Sequence, residues 1–325
     1  MEIVFSDTFH SFNLQIMTIC KYILVVFLFL AVKTITAQDA ISGYVTSETG
    51  EGIPFASIYL RDKNIGITSG INGHYRLPIN FLEATTDTLI FSSVGYTTKR
   101  IPIVEFAKKA ETGSINIVLT SNYILLSEVY ILPNTYRPID YGFAHLRSAP
   151  TNFIGTPSQR LMVFVENTAG ITKIIQTVNI RLAGSNSDEI EKLRVFFYQK
   201  TESGFQNINV ADEDIFITDF SQSRIQHDVS EHHIPFPAEG IFVGFEWIGE
   251  ENVVRDRSRA SDLGIRVTNR ANELHSWISD IRTEEWLHYP PDDLKEALND
   301  VPRMLRRMVR KNIINVNFSI GITAH

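Results

Sequence analysis

The chain has almost no cysteine, and this absence removes two ways of stabilising an exported protein. Cys20 is the single cysteine among 325 residues. It precedes an apolar run, whereas the cysteine of a lipoprotein follows such a run at the cleavage point. We therefore expect no lipid anchor at Cys20, and a mature chain without disulfides or cysteine-ligated metals. Its stability must then come from hydrophobic cores.

The sequence also lacks the motifs of common hydrolases and nucleotide-binding enzymes. None of its nine histidines is followed three residues later by Glu, as a zinc carboxypeptidase would require. H-E-x-x-H, G-x-S-x-G and a glycine-rich phosphate loop are absent as well. On this basis we predict a non-enzymatic protein and assign no catalytic, cofactor-binding or metal-binding residue.

The chain has fewer positively than negatively charged side chains. It contains 30 Lys and Arg residues and 37 Asp and Glu residues, which gives a net charge of -7. Nucleic-acid binding depends on clustered positive charge that neutralises phosphates. The composition therefore argues against a nucleic-acid partner. With 44% hydrophobic and 21% charged residues, the chain is otherwise typical of globular protein, and its length predicts two domains.

The N-terminal region is typical of a secretory signal peptide. Lys21 precedes the apolar run Tyr22 to Val32, and cleavage is expected after Ala37, although Ile35 stands where a small residue is commoner. The run is shorter than the roughly 20 residues that span a bilayer. We predict a signal peptide over 1–37, with Met17 as an alternative start. The mature chain is expected to be exported, without a transmembrane segment, and to be periplasmic, outer-membrane associated or secreted.

From Ile41 to Arg76 the sequence alternates short β-prone runs with residues that favour backbone reversal. Asn72-Gly73 is a strong signal for a two-residue hairpin turn, and Pro54 cannot donate to a central β-ladder. We expect alternate residues of Phe55 to Leu60 to face opposite sides of a strand. Gly95 should allow a bend between the strand Thr88 to Val94 and a returning strand Thr97 to Ile103. The pattern predicts an antiparallel sandwich.

Five motifs in this region occur in an order that resembles the carboxypeptidase regulatory-like domain. They are G-Y-V at Gly43 to Val45, G-x-P-F-A-x-I at Gly52 to Ile58, T-x-x-x-N-G-x-Y at Thr68 to Tyr75, V-G-Y at Val94 to Tyr96, and I-N-I-V-L at Ile115 to Leu119. The resemblance covers roughly Ala40 to Val129. It implies a transthyretin-like, seven-stranded sandwich without an active site, of a kind found alone or ahead of TonB-dependent outer-membrane receptors. The chain is too short for a complete transporter of that type.

The remainder of the sequence predicts a connector and a second β domain. We place the first domain at 38–132, a proline-punctuated connector at 133–157, and a β-rich domain at 158–325. The fold class is therefore mainly β, with a seven-stranded transthyretin/Ig-like sandwich followed by a jelly-roll-like domain. The predicted strands of the second domain are Leu161 to Glu166, Ile171 to Leu182, Leu193 to Gln199, Ile215 to Thr218, Ile241 to Ile248 and Ile313 to Ile322, with polar loops at Ala183 to Glu189 and Thr201 to Asn207.

One helical insertion is expected near 292–311. Apolar residues recur there at helical spacing, with Asp292 and Asp293 at the N-terminal end and Arg310 and Lys311 at the C-terminal end. Arg303, Arg306, Arg307 and Arg310 are interpreted as a solvated helix face rather than a patch for anionic lipids.

Three polar groups were weighed as sites. The group His227, Asp228, Glu231, His232 and His233 carries metal-ligating side chains, but a loop before two prolines is equally suited to solvent exposure. Asp212, Glu213 and Asp214 lack the spacing of a calcium loop. Glu246, between Phe245 and Trp247, could act on a sugar ring, yet we expect it at an exposed edge of a packed strand.

These observations favour a non-enzymatic, exported binding or assembly accessory protein of the bacterial cell envelope. Its partner would be an outer-membrane or other envelope protein, or a glycan. A carbohydrate-binding or carbohydrate-active protein with its site in the second domain is the alternative. Pairing of an open edge strand with another envelope protein is a third possibility.

Overall fold

A computed structural model describes residues 21, 40–83, 86–110, 114–122, 137–148, 152–183, 190–202, 204–253, 255–256, 263–270, 273–279, 285–289 and 317–325. The described chain is mainly β, as the sequence predicts. The predicted signal peptide apart from Lys21, the parts 133–136 and 149–151 of the predicted connector, and the predicted helix with its arginines lie outside these residues. No helix among the described residues is long and apolar enough to cross a bilayer.

The N-terminal sandwich, within its described residues, contains seven strands and one helix. They are β1 (Ala40–Thr46), β2 (Ser57–Leu60), β3 (Ile65–Thr68), β4 (His74–Pro78), β5 (Thr88–Ser92), β6 (Lys99–Pro102), α1 (Ile103–Ala110) and β7 (Ile117–Val118), with a 3₁₀ turn at Ile79–Glu83. One sheet has the order β4-β1-β7, and the other contains β3-β2-β5-β6. Buried apolar residues from both sheets form one core that includes Val45, Leu60, Tyr75, Phe91 and Leu119. The predicted seven-stranded sandwich is confirmed.

Three local predictions in this sandwich are wrong. The turn at Asn72 and Gly73 connects β3 to β4, but these two strands lie in different sheets and do not form a hairpin. Phe55 has a φ of 52°, so the chain turns there and β2 begins only at Ser57. The predicted strand Thr97 to Ile103 ends at Pro102 because Ile103 begins α1. Ile103 and Phe106 bury one face of this helix, and Lys109 contacts Glu105 at 2.8 Å on the other.

The described residues of the C-terminal part form sixteen strands. They are β8 (Ile139–Gly142), β9 (Asn152–Ile154), β10 (Arg160–Val165), β11 (Lys173–Ala183), β12 (Ile190–Thr201), β13 (Gly204–Asn209), β14 (Ile215–Ile217), β15 (Arg224–Asp228), β16 (Pro235–Phe236), β17 (Ile241–Gly249), β18 (Arg255–Asp256), β19 (Gly264–Thr268), β20 (Ser276–Ser279), β21 (Trp286–His288), β22 (Asn317–Phe318) and β23 (Ile320–Ala324), with a 3₁₀ turn at Ser230–His232. Predicted loop 201–207 instead forms a hairpin between β12 and β13.

Two large sheets face each other across the second core. The seven-stranded sheet has the order β13-β12-β17-β10-β20-β21, with β14 beside β12. The eight-stranded sheet has the order β22-β19-β11-β23-β8, with β15 and β16 beside β11 and β9 beside β19. Inward residues of both sheets form a single cluster that includes Val195, Trp247, Ile180 and Ile322. Strand β17 lies between β10 and β12 and is buried along its whole length.

The two sandwiches share a sheet. Strand β18, which comes from the C-terminal part of the chain, pairs with β3 and completes a five-stranded sheet of order β18-β3-β2-β5-β6.

Candidate functional site: the interface between the two sandwiches

A segment that follows β17 covers the open side of the N-terminal sandwich. Arg255 and Asp256 pair antiparallel with Gly66 and Ile65 of β3. Closer to β17, Glu251 forms a parallel β-bridge with Thr68. Edge strands carry unpaired backbone groups that accept a neighbouring strand. In this protein the neighbouring strand at the β3 edge is the segment after β17 of the same chain.

Asn252 links both sheets of the N-terminal sandwich to this segment. Its backbone N–H donates to the Thr68 carbonyl of β3 at 2.7 Å. Its side-chain Oδ1 accepts from the Arg76 N–H of β4, also at 2.7 Å. Asn252 has a φ of 56°, a left-handed conformation that Asn tolerates better than most residues. Asn252 therefore forms hydrogen bonds with an edge strand of each of the two sheets.

Arg194, on β12, lies fully buried where the two sandwiches meet. Its Nη2 donates to the Pro54 carbonyl at 2.7 Å and to the Phe55 carbonyl at 3.4 Å. These carbonyls are available because the chain turns at Pro54 and Phe55 before β2 begins. Its Nη1 donates to Ser93 Oγ at 3.2 Å. The guanidinium thus binds two separate loops of the N-terminal sandwich.

Two carboxylates hold Arg194 from its own side of the interface. Nη1 donates to Glu246 Oε2 at 2.7 Å, and Nε lies 3.2 Å from Asp214 Oδ1 in an ion pair without hydrogen-bond geometry. Five oxygen atoms therefore lie within 3.5 Å of the three guanidinium nitrogens. A planar guanidinium with five N–H groups suits such an arrangement.

Strand register places Glu246 between two arginines. It is directly opposite Arg194 on β12 and Arg160 on β10. Burial raises the pKa of Glu246 above its ordinary value, although Arg194 and Arg160 lower it. Burial would lower the pKa of Arg194, but Asp214 and Glu246 raise it above its ordinary value. Arg194 therefore stays positively charged, and the two carboxylates hold its guanidinium in position.

Aromatic contacts extend the interface on each side of Arg194. Phe55 meets Phe216 of β14 edge to face at 5.1 Å, and Lys192 Nζ lies 3.6 Å from the centre of the Phe55 ring. Val94 of the N-terminal sandwich packs in a separate buried cluster with Met162, Phe164, Phe196, Tyr198 and Phe242 on the outer face of the seven-stranded sheet. These contacts are typical of an interface with a packed centre.

The sequence prediction for Glu246 is wrong. We expected an exposed edge, but the residue is 3% exposed on the central strand β17, which is covered by the N-terminal sandwich. Its neighbours Phe245 and Trp247 point into the opposite core, where Trp247 Nε1 donates to the Leu263 carbonyl. The alternation of a β-strand separates the acid from these two aromatic rings. They cannot form one sugar-binding face.

The histidine-rich group is spread over β15 and the following 3₁₀ turn. Asp228 Oδ1 accepts from the Ser230 N–H, which lowers the pKa of its carboxyl. His233 Nδ1 contacts the Glu231 carbonyl at 2.8 Å. Burial lowers the pKa of His227, and nearby His232 lowers it further, although Asp228 opposes the shift. Among the described residues, no three His, Cys, Asp or Glu side chains are grouped to hold a metal ion.

The acidic group before β14 is divided in a similar way. Asp214 contacts Arg194, whereas Asp212 and Glu213 are exposed. Asp214 is therefore the member of this group that forms an ion pair at the interface.

The two residues that organise the interface, Arg194 and Asn252, are not among the candidate residues predicted from the sequence. Arg194 interrupts an otherwise apolar run from Leu193 to Tyr198, and a charge in a buried strand requires a partner. This signal was present in the sequence. Asn252 offered no comparable signal, because its role depends on strands that lie about 180 residues earlier.

The comparison with known families agrees with the resemblance in the sequence. A search of curated proteins found no match to the chain. The sequence profile of the CarboxypepD_reg-like domain matches residues 41–131, which contain β2 to β7 and all of β1 except Ala40. A CarboxypepD_reg-like domain is therefore found at residues 41–131 of this chain.

Proposed function

We propose that this protein is a non-enzymatic, exported accessory protein of the bacterial cell envelope that binds or assembles other envelope components. The observation that carries the proposal is the interface, where strand pairing, the Arg194 cluster and packed aromatic rings join two sandwiches. A joined pair of sandwiches presents its outer surfaces in a fixed relation to each other. This property suits a scaffold that positions a partner.

The chemistry of the interface supports holding rather than catalysis. A general acid needs access to its substrate. Glu246 is 3% exposed and accepts a hydrogen bond from Arg194, which also contacts Asp214, two backbone carbonyls and a serine hydroxyl. Groups arranged in this way hold two pieces of chain together.

Export is the part of the proposal that can be tested most directly. The predicted signal peptide over 1–37 implies a processed chain that begins near Gln38. Cell fractionation followed by N-terminal sequencing should find this processed chain in the periplasm, the outer membrane or the medium. An unprocessed chain in the cytoplasm would contradict the proposal.

Partner binding should be tested on the full mature chain. The N-terminal sandwich alone would expose the β3 edge that β18 covers, and could pair with strands it never meets in the intact protein. A photo-crosslinking residue at Tyr44 or Val118, which are 43% and 45% exposed on the three-stranded sheet, should capture an envelope protein. The same residue at Ile171, 49% exposed on the other sandwich, is the control. Equal capture at all three positions would count against a partner of the N-terminal sandwich.

Carbohydrate hydrolysis through Glu246 remains a weaker candidate. The variant Glu246→Gln should lower stability, because a buried Arg194 then loses a charged partner. Loss of a glycan-hydrolysing activity in a variant of unchanged stability would instead favour the enzymatic alternative.

A further inference from the structure

A polar cleft of about 50 Å³ lies on the outer face of the eight-stranded sheet, remote in sequence from the Arg194 cluster. Three segments line it. Strand β8 and the turn after it contribute Asp140, Tyr141 and His145, β11 contributes Asn179, and β15 contributes Arg224 and Gln226.

Two glycines let the wall of the cleft lie close to the sheet. Register places Gln226, Asn179, Gly321 and Gly142 in one row across four neighbouring strands. A Cβ on Gly321 would lie 2.3 Å from the Tyr141 carbonyl oxygen, and a Cβ on Gly142 would lie 2.9 Å from the Cα of Gly321. Because both side chains are absent, the backbone of β8 and of the turn after it lies directly against β23, beside Asn179.

A chain of hydrogen bonds fixes the floor and one wall of the cleft. Thr177 Oγ1 donates to Asn179 Oδ1, Asn179 Nδ2 donates to Thr323 Oγ1, and Thr323 Oγ1 donates to Asp140 Oδ1 at 2.6 Å. Asn179 is 7% exposed. This chain orients the Asp140 carboxylate and leaves its second oxygen to accept from a ligand.

Opposite charges face the cleft without neutralising each other. Within the described part of the chain, neither Asp140 nor Arg224 has an oppositely charged group within 4 Å. Arg181, directly across from Arg224, is held by the carbonyls of Ala144 and His145. The second arginine thus supports the turn that forms the wall of the cleft.

We propose that this cleft binds a neutral, hydroxyl-bearing ligand, specifically a pair of adjacent hydroxyl groups on a saccharide. A hydroxyl donates one hydrogen bond and accepts others, so it can donate to Asp140 while it accepts from Arg224 and Gln226. An anionic ligand would meet the Asp140 carboxylate. An ammonium group brings donors alone and would meet the donors of Arg224 and Asn179. The volume suits only the tip of a sugar ring, since one water needs about 10 to 15 Å³ by the same measure.

This inference goes beyond the proposed function, because it names a site and a ligand class. Ligand-observed NMR and calorimetry on the full mature chain should detect weak, saturable binding of at least one methyl glycoside of glucose, galactose, mannose or fucose. Glycine and inorganic phosphate serve as the zwitterionic and anionic probes. Preferred binding of either one, or no binding of any glycoside in the millimolar range, would overturn the assignment.

Variants separate the cleft from other surfaces. Arg224→Ala and Asp140→Asn should each weaken glycoside binding at least about tenfold, as expected for a lost hydrogen bond to a charged group. Arg61→Ala and Asp62→Asn, on an exposed turn of the N-terminal sandwich, are the matched controls and should bind normally. Thermal melting checks that all four variants fold. Unchanged glycoside binding in both cleft variants would overturn the proposal and leave the test of export unaffected.

Discussion

Arg194 is the residue on which the interface depends most. It is 0% exposed and contacts both the carboxylates of its own sandwich and the carbonyls of the other. Removing one partner of a buried charge cluster leaves the remaining charges uncompensated. We expect Arg194→Met to lower the free energy of unfolding by about 3 to 5 kcal/mol, measured by urea denaturation.

The double variant R194M/E246L provides the matched comparison. Replacing both charges with apolar side chains removes the uncompensated Glu246, so this variant should recover most of the loss. Arg61→Ala, which removes an exposed arginine, should change stability by less than about 0.5 kcal/mol. A single variant as stable as the wild type would show that Arg194 contributes little to the interface.

Two half-buried histidines should make stability depend on pH. Burial lowers the pKa of His227 and of His275 below the ordinary value of 6.5, and the ring of His275 stacks on Phe143. As the pH falls below about 6.5, the unfolded chain binds protons that the folded chain does not. Stability should therefore decrease from pH 7 towards pH 5. In His275→Gln, the melting temperature should depend less steeply on pH than in the exposed control His145→Gln.

At the scale of elements, the segment from Glu251 to Asp256 acts as an additional edge strand for the N-terminal sandwich. Its hydrogen bond to β4 runs from the Arg76 N–H to the Asn252 side chain. Asn252→Gly keeps the left-handed backbone conformation but removes this acceptor. Hydrogen exchange at the Arg76 amide should become about tenfold faster, which corresponds to about 1.4 kcal/mol. Exchange at the Leu60 amide, in the central strand β2, should not change.

The turn that connects β3 to β4, which lie in different sheets, requires glycine at position 73. Its φ is 76°, and a Cβ there would lie 2.3 Å from the Val45 carbonyl oxygen. Gly170 has a similar φ of 67° but open space around it. Both Gly→Ala variants meet the same backbone penalty of about 1 to 2 kcal/mol. Gly73→Ala should be the less stable of the two in thermal denaturation, because it also clashes with β1.

Sequence patterns predicted strands with regular apolar alternation better than elements that depart from that alternation. Alternation of apolar residues located β10, β11, β12, β14 and β17, because the burial of each strand follows its local sequence. They missed α1 because Ile103 extends an apolar strand pattern by one residue. They also missed β13, whose polar residues read as a loop but pair with β12. In both cases tertiary contacts override the local pattern.

For the whole molecule, the interface predicts that the two sandwiches unfold together. They share the β18–β3 pairing, the Arg194 cluster and the packing of Val94. Differential scanning calorimetry should show one transition for the wild type. In Arg194→Met the transition should broaden or divide in two. Two well-separated transitions in the wild type would indicate that the sandwiches are energetically independent.

The candidate site was harder to predict than the architecture. The glycine and proline pattern of one region was enough to indicate a sandwich there, because turns are encoded locally. The interface and the polar cleft join residues far apart in sequence, such as Arg76 with Asn252 and Asp140 with Thr323. Such pairs have no spacing that a single sequence could reveal. Glu246 is an example. Its neighbours Phe245 and Trp247 suggested an exposed position, but its place on the central strand β17 buries it.

The strand that completes the N-terminal sandwich is synthesised long after the sandwich itself. Arg76 and Asn252 are 176 residues apart. At a translation rate of about 5 to 20 residues per second, roughly 10 to 35 seconds pass before the second residue exists. During that interval the newly made sandwich carries a bare edge, which is the state most prone to pairing with the wrong chain. Chaperone dependence should therefore be greatest midway through synthesis and should end as the region near residue 256 emerges.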